Sequence, residues 1–564
     1  MKLHFEHLQK LRTHADYLQD HLGLTDFFVV WWVVRDMLLG KQLDIVDVDL
    51  TMCGDPSNIW TEIKQTKDIS TEDKSFDLFR TEKFGTITIL SRDAWYEIKY
   101  EITPFREESW YSDFRHPEHI IWSDSLLADA SRRDFTINAM YYTNLPLGWK
   151  KIMKDSEYDE ALLLKSLDTD WYALIGGVLV LQSHDSIRDI SSSGSLDTAA
   201  LDAFCQTHTI DQKRLWWILR DPYKGLQDIV DGKIRAVWDP DKRFNEDALR
   251  ILRAVRFQNI LNFDSILDAE FDYEQQTRKS MKKYYYLVKQ LSKERIHEEI
   301  KKVFSGPNPF GYVAVLDELN LLKYIFPGIF ALKFLNQPMR YHPFDVYSHS
   351  ILALYHLQSI NVNYLVRLAM LYHDCGKVEQ YYTHTLGLDR DERSFIYGGW
   401  LNHVHCGQDI AKDDLERIGF SNKEIAEIQW YIGYHMKPGE ILFAKPENWI
   451  KKTRELYADG GYERVHNLLD ICKGDRRWHF NPIQKPAINE IDKLYNILDN
   501  LKESEGQFTM SKMPINGDDI MKEFDLKPGK TVWEYMRRAY EWVLEDVQER
   551  NKSDAVIAFL RRLS

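Results

Sequence analysis

Asp47 and Asp49 stand two residues apart in Asp44-Ile45-Val46-Asp47-Val48-Asp49-Leu50, an apolar, β-branched run. Strand side chains alternate in direction, so the two carboxylates emerge on one face about 7 Å apart. Like charges held so near call for cations, and a pair of Mg²⁺ ions bridged by a nucleotide triphosphate would supply them. A solvated strand face shows the same spacing. Glu101, in Tyr100-Glu101-Ile102-Thr103-Pro104-Phe105-Arg106, could complete such a site with a third carboxylate.

A second constellation occupies the other half of the chain. It runs through Tyr341-His342-Pro343-Phe344-Asp345-Val346-Tyr347-Ser348-His349, Leu371-Tyr372-His373-Asp374-Cys375-Gly376-Lys377, Asn402-His403-Val404-His405, Tyr434-His435-Met436 and Lys473-Gly474-Asp475. Imidazoles joined by a bridging carboxylate suit Mn, Fe, Co, Ni or Zn better than Mg alone.

These groups need elements to hold them. Phe27 to Val34 reads as a buried strand, and Arg35 to Gly40 as a short helix stopped by glycine. Thr81 to Ile89 and Trp95 to Thr103 read as two further strands, and apolar periodic segments around the histidines imply helices. Asp247 and Arg250, three apart, lie side by side on one helix face. There they offer an acceptor and a planar donor fork that can imitate a Watson–Crick edge, or else a simple helix ion pair.

A chain of 564 residues is long enough for three to four domains. It has no apolar run of ~18–20 residues and opens with no signal peptide, so a soluble, cytoplasmic protein without membrane contact is expected. Five cysteines with no C-x-x-C pair point to a reducing compartment and no cysteine-based zinc site. The net charge of -14 argues against wholesale coating of nucleic acid. Locally the balance reverses: Arg278 to Lys302 holds nine Lys/Arg and three Glu around Tyr284, Tyr285 and Tyr286, a candidate track for an RNA backbone.

The order of D-x-D, Phe79-Arg80-Thr81-Glu82-Lys83-Phe84-Gly85-Thr86, Tyr100 to Arg106, Tyr111-x-Asp113-x-Arg115-His116-Pro117 and Arg132-Arg133-Asp134-Phe135-Thr136-Ile137-Asn138-Ala139-Met140 resembles class II tRNA nucleotidyltransferases, the CCA-adding enzymes and their poly(A) polymerase relatives. Asp221 to Ile229 is similar to the family's end-of-head segment, and Arg243 to Phe257 to its nucleobase-selecting helix. The H…HD…H…H…D order resembles HD-type phosphohydrolase domains. The resemblance implies an α+β architecture: a nucleotidyltransferase head with a mixed sheet over 1–235, interrupted by an insertion at about 144–214. A helical neck and body would follow over 236–335, a helical HD domain over 336–505 and a helical tail over 506–564.

It also implies roles. Asp47, Asp49 and Glu101 would bind Mg²⁺ and catalyse. Arg35, Arg132, Arg133, Asp134, Asn138, Arg253, Arg256 and the pair at 31 and 32 would line the nucleotide, while Asp247 and Arg250 would select CTP and ATP. His349, His373, Asp374, His403, His435 and Asp475 would hold the second metal, with His405 competing with His403. The implied activity is addition of C, C and A to the 3′ end of tRNA, with no DNA partner. Poly(A) addition on the same head, a phosphohydrolase acting alone and an inactive RNA-binding paralogue are the alternatives.

One departure bears on all of this. The family has a glycine pair before V-R-D, because backbone must approach the triphosphate closely; this chain has Trp31-Trp32. Trp110, Trp238 and Trp533 also stand where the family usually has glycine. The 27 glycines are about 5% of the chain against a usual ~7%, a deficit that counting the 17 tryptophans as glycine closes. A source that reads UGA as glycine would account for the pattern; a decayed paralogue is the other account.

Overall fold

The structure is a computed structural model. It describes residues 27–39, 47–65, 76–81, 85–93, 96–111, 117–123, 125–144, 171–175, 178–183, 186–189, 217–263, 270–333, 343–360, 362–378, 403–477, 488–504 and 510–563, together with 18, 22, 24, 335, 336 and 508.

The apolar β-branched runs form strands because alternate side chains can be buried. β1 (Phe27–Val30) pairs antiparallel with β2 (Asp47–Met52), and β2 pairs parallel with β5 (Tyr96–Pro104). β3 (Phe76–Thr81) and β4 (Thr86–Asp93) complete that side in the order β2-β5-β4-β3. A small separate hairpin follows from β6 (Arg106–Tyr111) and β7 (Pro117–Trp122). On the far side, β1 pairs with β8 (Tyr141–Asn144), and β12 (Trp217–Arg220) joins β8 to β9 (Trp171–Ile175), β10 (Val178–Ser183) and β11 (Ser186–Asp189). The sheet is mixed, as expected. The insertion therefore contributes strands to it.

The sequence reading needs three corrections. The strand from Phe27 stops at Val30, because Trp31 turns the chain at φ 67° and α1 (Trp32–Leu38) starts at once. Thr81 to Ile89 is not one strand: Gly85 reverses the chain at φ 63°, and a Cβ there would meet Trp122 and Pro56. Asp247 does not sit on a helix face. It is extended (φ −148°, ψ 100°) at the end of α5 (Pro240–Glu246), and its carboxylate accepts from Leu249 N–H at 3.0 Å, capping α6 (Leu249–Phe263).

The chain divides into two compact units, Met1–Leu291 and Ser292–Ser564. Their border falls inside the stretch expected as neck and body. In the second unit, α7 (Val346–Leu357), α9 (His403–Arg417) and α11 (Trp449–Arg476) carry His349, His403 and Asp475, while His373-Asp374 and His435 directly follow α8 (Tyr364–Tyr372) and α10 (Asn422–Tyr434). The tail breaks at Pro528-Gly529 into α12 (Gly517–Phe524) and α13 (Lys530–Glu545), with α14 (Ser553–Arg561) closing its own apolar core around Ile520, Ala539, Val543 and Val556. No helix among the described residues is long and apolar enough to cross a membrane.

Candidate active site and metal centre

In β2, Val48 and Leu50 point inward and are buried, which turns Asp47 and Asp49 to the opposite face. The parallel register sets Asp49 opposite Glu101 and Asp47 opposite Lys99, so the three acids and one lysine share a face. Burial pushes the Asp49 carboxyl up to about 6, with Asp47 and Glu101 adding to the shift and Arg133 opposing it. Asp47 Oδ1 is buried with no hydrogen-bond partner. An oxygen-rich, under-compensated face of this kind fits a hard divalent cation such as Mg²⁺.

Beside it, α2 (Leu126–Ser131) ends at the Arg132-Arg133-Asp134 turn. Asp129, wholly buried, receives Arg132 Nε at 2.7 Å, Arg133 Nη2 at 2.9 Å and the Tyr141 hydroxyl at 2.8 Å. Asp134 Oδ1 accepts from Phe135 N–H and from Asn138 Nδ2, and its other oxygen pairs with Arg253 at 2.7 Å. Asn138 Oδ1 accepts in turn from Arg35 Nη1 at 3.1 Å. These arginines are therefore held in place before any ligand arrives. Arg256 lies over the Phe257 ring at 4.4 Å, as does Arg35 at 5.1 Å.

Arg250 does not reach toward Asp247. Its Nη1 donates to Arg243 O at 2.8 Å and to Glu246 at 3.1 Å. Arg243 Nη2 donates to the carbonyls of Arg132 and Arg133 at 2.6 and 2.8 Å, fastening α5 and α6 to the arginine turn. Asp129, Tyr141, Arg243 and Lys99 were not singled out from the sequence. Only Asp129 carried a signal, its i,i+3 and i,i+4 spacing to Arg132 and Arg133.

Trp31 lies among these groups. Its indole packs against the guanidinium of Arg133 at 5.5 Å and of Arg253 at 5.2 Å. Five non-glycine residues among those described take positive φ, and Trp31 (67°) and Trp238 (66°) are two of them. Bulky residues rarely adopt that backbone. Trp533 is helical and exposed, and carries no such demand. Trp110 lies in β6, whereas Asp113 and Arg115 lie outside the described residues.

In the second unit the histidine and aspartate groups converge. His349, His373 and Asp475 form one close-set ligand group, and Asp374, His403 and His435 another; within each, the ligand atoms lie within 4.8 Å of one another. Asp374 faces both: Oδ2 is 3.6 Å from His349 Nε2 and 3.4 Å from His373 Nε2, and Oδ1 is 3.5 Å from His403 Nε2. Asp475 Oδ1 is 2.9 Å from His349 Nε2.

Two rings are fixed from behind, since His373 Nδ1 meets Met370 O and His435 Nδ1 meets Ile432 O, both at 2.7 Å. A carbonyl can only accept, so each Nδ1 carries hydrogen and each Nε2 turns into the cluster; burial lowers His373, but Asp374 and Asp475 more than reverse this and raise it, so a metal would have to displace its Nε2 proton. His403 Nε2 and His435 Nε2 then stand 3.2 Å apart. Burial pushes His435 down to about 3, with His403 and His373 adding to it. Converging imidazoles and carboxylates fit transition-metal cations.

His403 is buried in this cluster and His405 is exposed, which resolves their competition. Gly376 lets the two segments meet, because a Cβ there would sit 1.8 Å from His403 O.

Comparison with known proteins matches residues 27–154 to the poly A polymerase head domain, 270–332 to the probable RNA and SrmB-binding site of polymerase A, and 346–473 to the HD domain. A CCA-adding enzyme of Lactobacillus helveticus is 30% identical over 275 residues, 49% of this chain and 45% of that protein. One from Enterococcus faecalis is 28% identical over 291 residues, 52% of this chain and 48% of the relative. The chain thus spans about half the length of the curated relatives it matches. Among solved structures, the Bacillus stearothermophilus CCA-adding enzyme in complex with CTP shares the fold at TM-score 0.57 and 19% identity, covering 99% of this chain and 97% of that one. A CCA-adding enzyme with ATP shares it at TM-score 0.51 and 16% identity, covering 100% and 97%.

Proposed function

We propose that this chain, whose residues match the poly A polymerase head, the polymerase A RNA-binding site and the HD domain in that order, adds C, C and A to the 3′ end of tRNA from CTP and ATP. The observation that carries this reading is the shared face of Asp47, Asp49 and Glu101 beside the buried arginine turn of Arg132 and Arg133. Asp47, Asp49 and Glu101 would hold Mg²⁺, which supplies Lewis acidity for an in-line displacement at the α-phosphate.

The chain's own groups do the rest. Arg132, Arg133 and Arg253 present positive charge to the triphosphate; Asp129 holds the first two in position, Asp134 holds Arg253, and Asn138 holds Arg35. Asp247 and Arg250 are assigned to the base edge. In this structure each also supports the α5–α6 corner, so nucleotide binding would have to redirect them. Arg278 to Lys302 would follow the RNA backbone. The cluster of His349, His373, Asp374, His403, His435 and Asp475 would hold Mn, Fe, Co, Ni or Zn and hydrolyse a phosphate ester.

A poly(A) polymerase is the second reading, favoured by the description of the matching head domain. Incubation with tRNA lacking CCA and with unrelated RNA, under CTP or ATP separately, decides between them. Addition of two C residues followed by one A on tRNA alone supports CCA addition. Long A tails on either RNA without use of CTP overturn it.

A further inference from the structure

Lys99 has no part in the reading above, yet it sits inside the acidic face. It precedes Glu101 by two residues in β5 and faces Asp47 across the parallel pairing with β2. Its Nζ is 2.5 Å from Glu101 Oε1 and 3.7 Å from Asp47 Oδ2. The side chain is 38% exposed, so solvent access lets it leave as well as stay.

Asp47, Asp49 and Glu101 do not themselves form a close-set ligand group of the kind His349, His373 and Asp475 do. Mg²⁺ requires oxygens at about 2.0–2.1 Å, and an oxygen engaged by an ammonium is not offered to the ion in the same way. One positive charge at this place satisfies two carboxylates in the absence of metal, and repels a divalent ion in its presence.

We propose that Lys99 is a built-in counter-ion that competes with the divalent cation for Asp47 and Glu101, setting the head's metal affinity and holding its acids together when metal is absent. This rests on the reading of the head as a metal site, and the experiment separates the two.

Mn²⁺ binding to the full chain is followed by electron paramagnetic resonance for the wild type, Asp49→Asn, Lys99→Gln and Lys99→Arg. The class of bound Mn²⁺ lost in Asp49→Asn is the head site; if none is lost, the head reading fails and the proposal with it. If that class exists, Lys99→Gln should bind it about three- to tenfold more tightly at low salt, the scale of one unit charge at a partly solvated distance. Lys99→Arg should bind as the wild type does, which separates charge from packing. Lys99→Gln should also lower the metal-free Tm while matching the wild type at saturating Mn²⁺. Unchanged or weaker Mn²⁺ binding in Lys99→Gln, with the Asp49-dependent class present, overturns the proposal alone.

Discussion

Asp49 stands directly opposite Glu101 across the parallel pairing of β2 and β5. Strand alternation turns both to the face that Val48 and Leu50 leave, so two acids from segments 52 residues apart in the chain meet on adjacent strands. Directly opposed like charges destabilise a sheet, and burial adds to the cost.

That relationship separates activity from stability at one residue. Asp49→Asn removes a metal ligand, and nucleotide addition should fall about 10³-fold, the scale of a few kcal/mol of lost transition-state stabilisation. The folded-state carboxyl is raised, to about 6, so the ionised group opposes folding at neutral pH and its removal should leave the metal-free Tm unchanged or higher. Primer extension beside thermal melts checks both. Full activity in Asp49→Asn, or a fall in Tm of the size seen for a core truncation, would show that this face is structural.

Trp31 and Trp238 are the two aromatic residues among the five described non-glycine residues with a left-handed backbone. A left-handed backbone costs a residue with a Cβ about 1–2 kcal/mol, and glycine nothing. Trp31→Gly and Trp238→Gly should each raise Tm, and Trp31→Gly should tighten CTP binding by baring Arg133 and Arg253. Trp449 provides the contrast: it is buried, its indole N–H donates to Ala444 O at 3.0 Å, and Trp449→Gly should destabilise by about 3–5 kcal/mol. Peptide mass spectrometry of the protein from its source should find glycine at 31 and 238. Tryptophan there, together with weaker nucleotide binding in Trp31→Gly, would make the indoles part of this molecule.

Much of the head was legible because its chemistry lies in short strands and one turn. D-x-D on an alternating run places its acids by period alone, and the Arg132-Arg133-Asp134 turn was recognisable as a contiguous string. What was not legible depends on tertiary pairing. Nothing local says that Lys99 lies opposite Asp47, or that Arg243 reaches the carbonyls of Arg132 and Arg133 from 110 residues away. The Asp247 and Arg250 spacing suggested one helix face; the short polar side chain of Asp247 capped the helix instead, as aspartate commonly does. His403 and His405 were indistinguishable by spacing, and burial separated them.

Asp129 makes the stability of the arginine turn depend on pH. Burial pushes its carboxyl up, but Arg132, Arg133 and Tyr141 more than reverse this and bring it to about 2. An unfolded aspartate titrates near 3.9, so the contribution is complete above that pH and is lost as pH falls from about 4 to 2. Asp129→Asn should destabilise by about 3 kcal/mol at neutral pH, because the buried Arg133 loses its partner charge. It should also flatten the acid limb of the Tm profile between pH 4 and 2. An unchanged acid limb would mean that other carboxylates govern that transition.

Asp374 gives the sharpest separation of the two units' chemistries, because one carboxylate turns an oxygen to each of two ligand groups. Losing a bridge should cost both groups their metal, whereas losing His435 should cost only the group it shares with His403. Asp374→Asn keeps the shape of the side chain, and so spares the packing around the buried Lys377, whose Nζ lies 2.6 Å from the carboxylate. Elemental analysis of the purified chain should find bound transition metal in the wild type, less in His435→Ala and least in Asp374→Asn. Hydrolysis of a phosphodiester by Asp374→Asn should fall in step, while nucleotide addition stays within about twofold, because the acids assigned to that reaction lie in the other unit. Undiminished metal content in Asp374→Asn would show that the histidines alone hold the ion, and parallel loss of nucleotide addition would show that the two activities share one site.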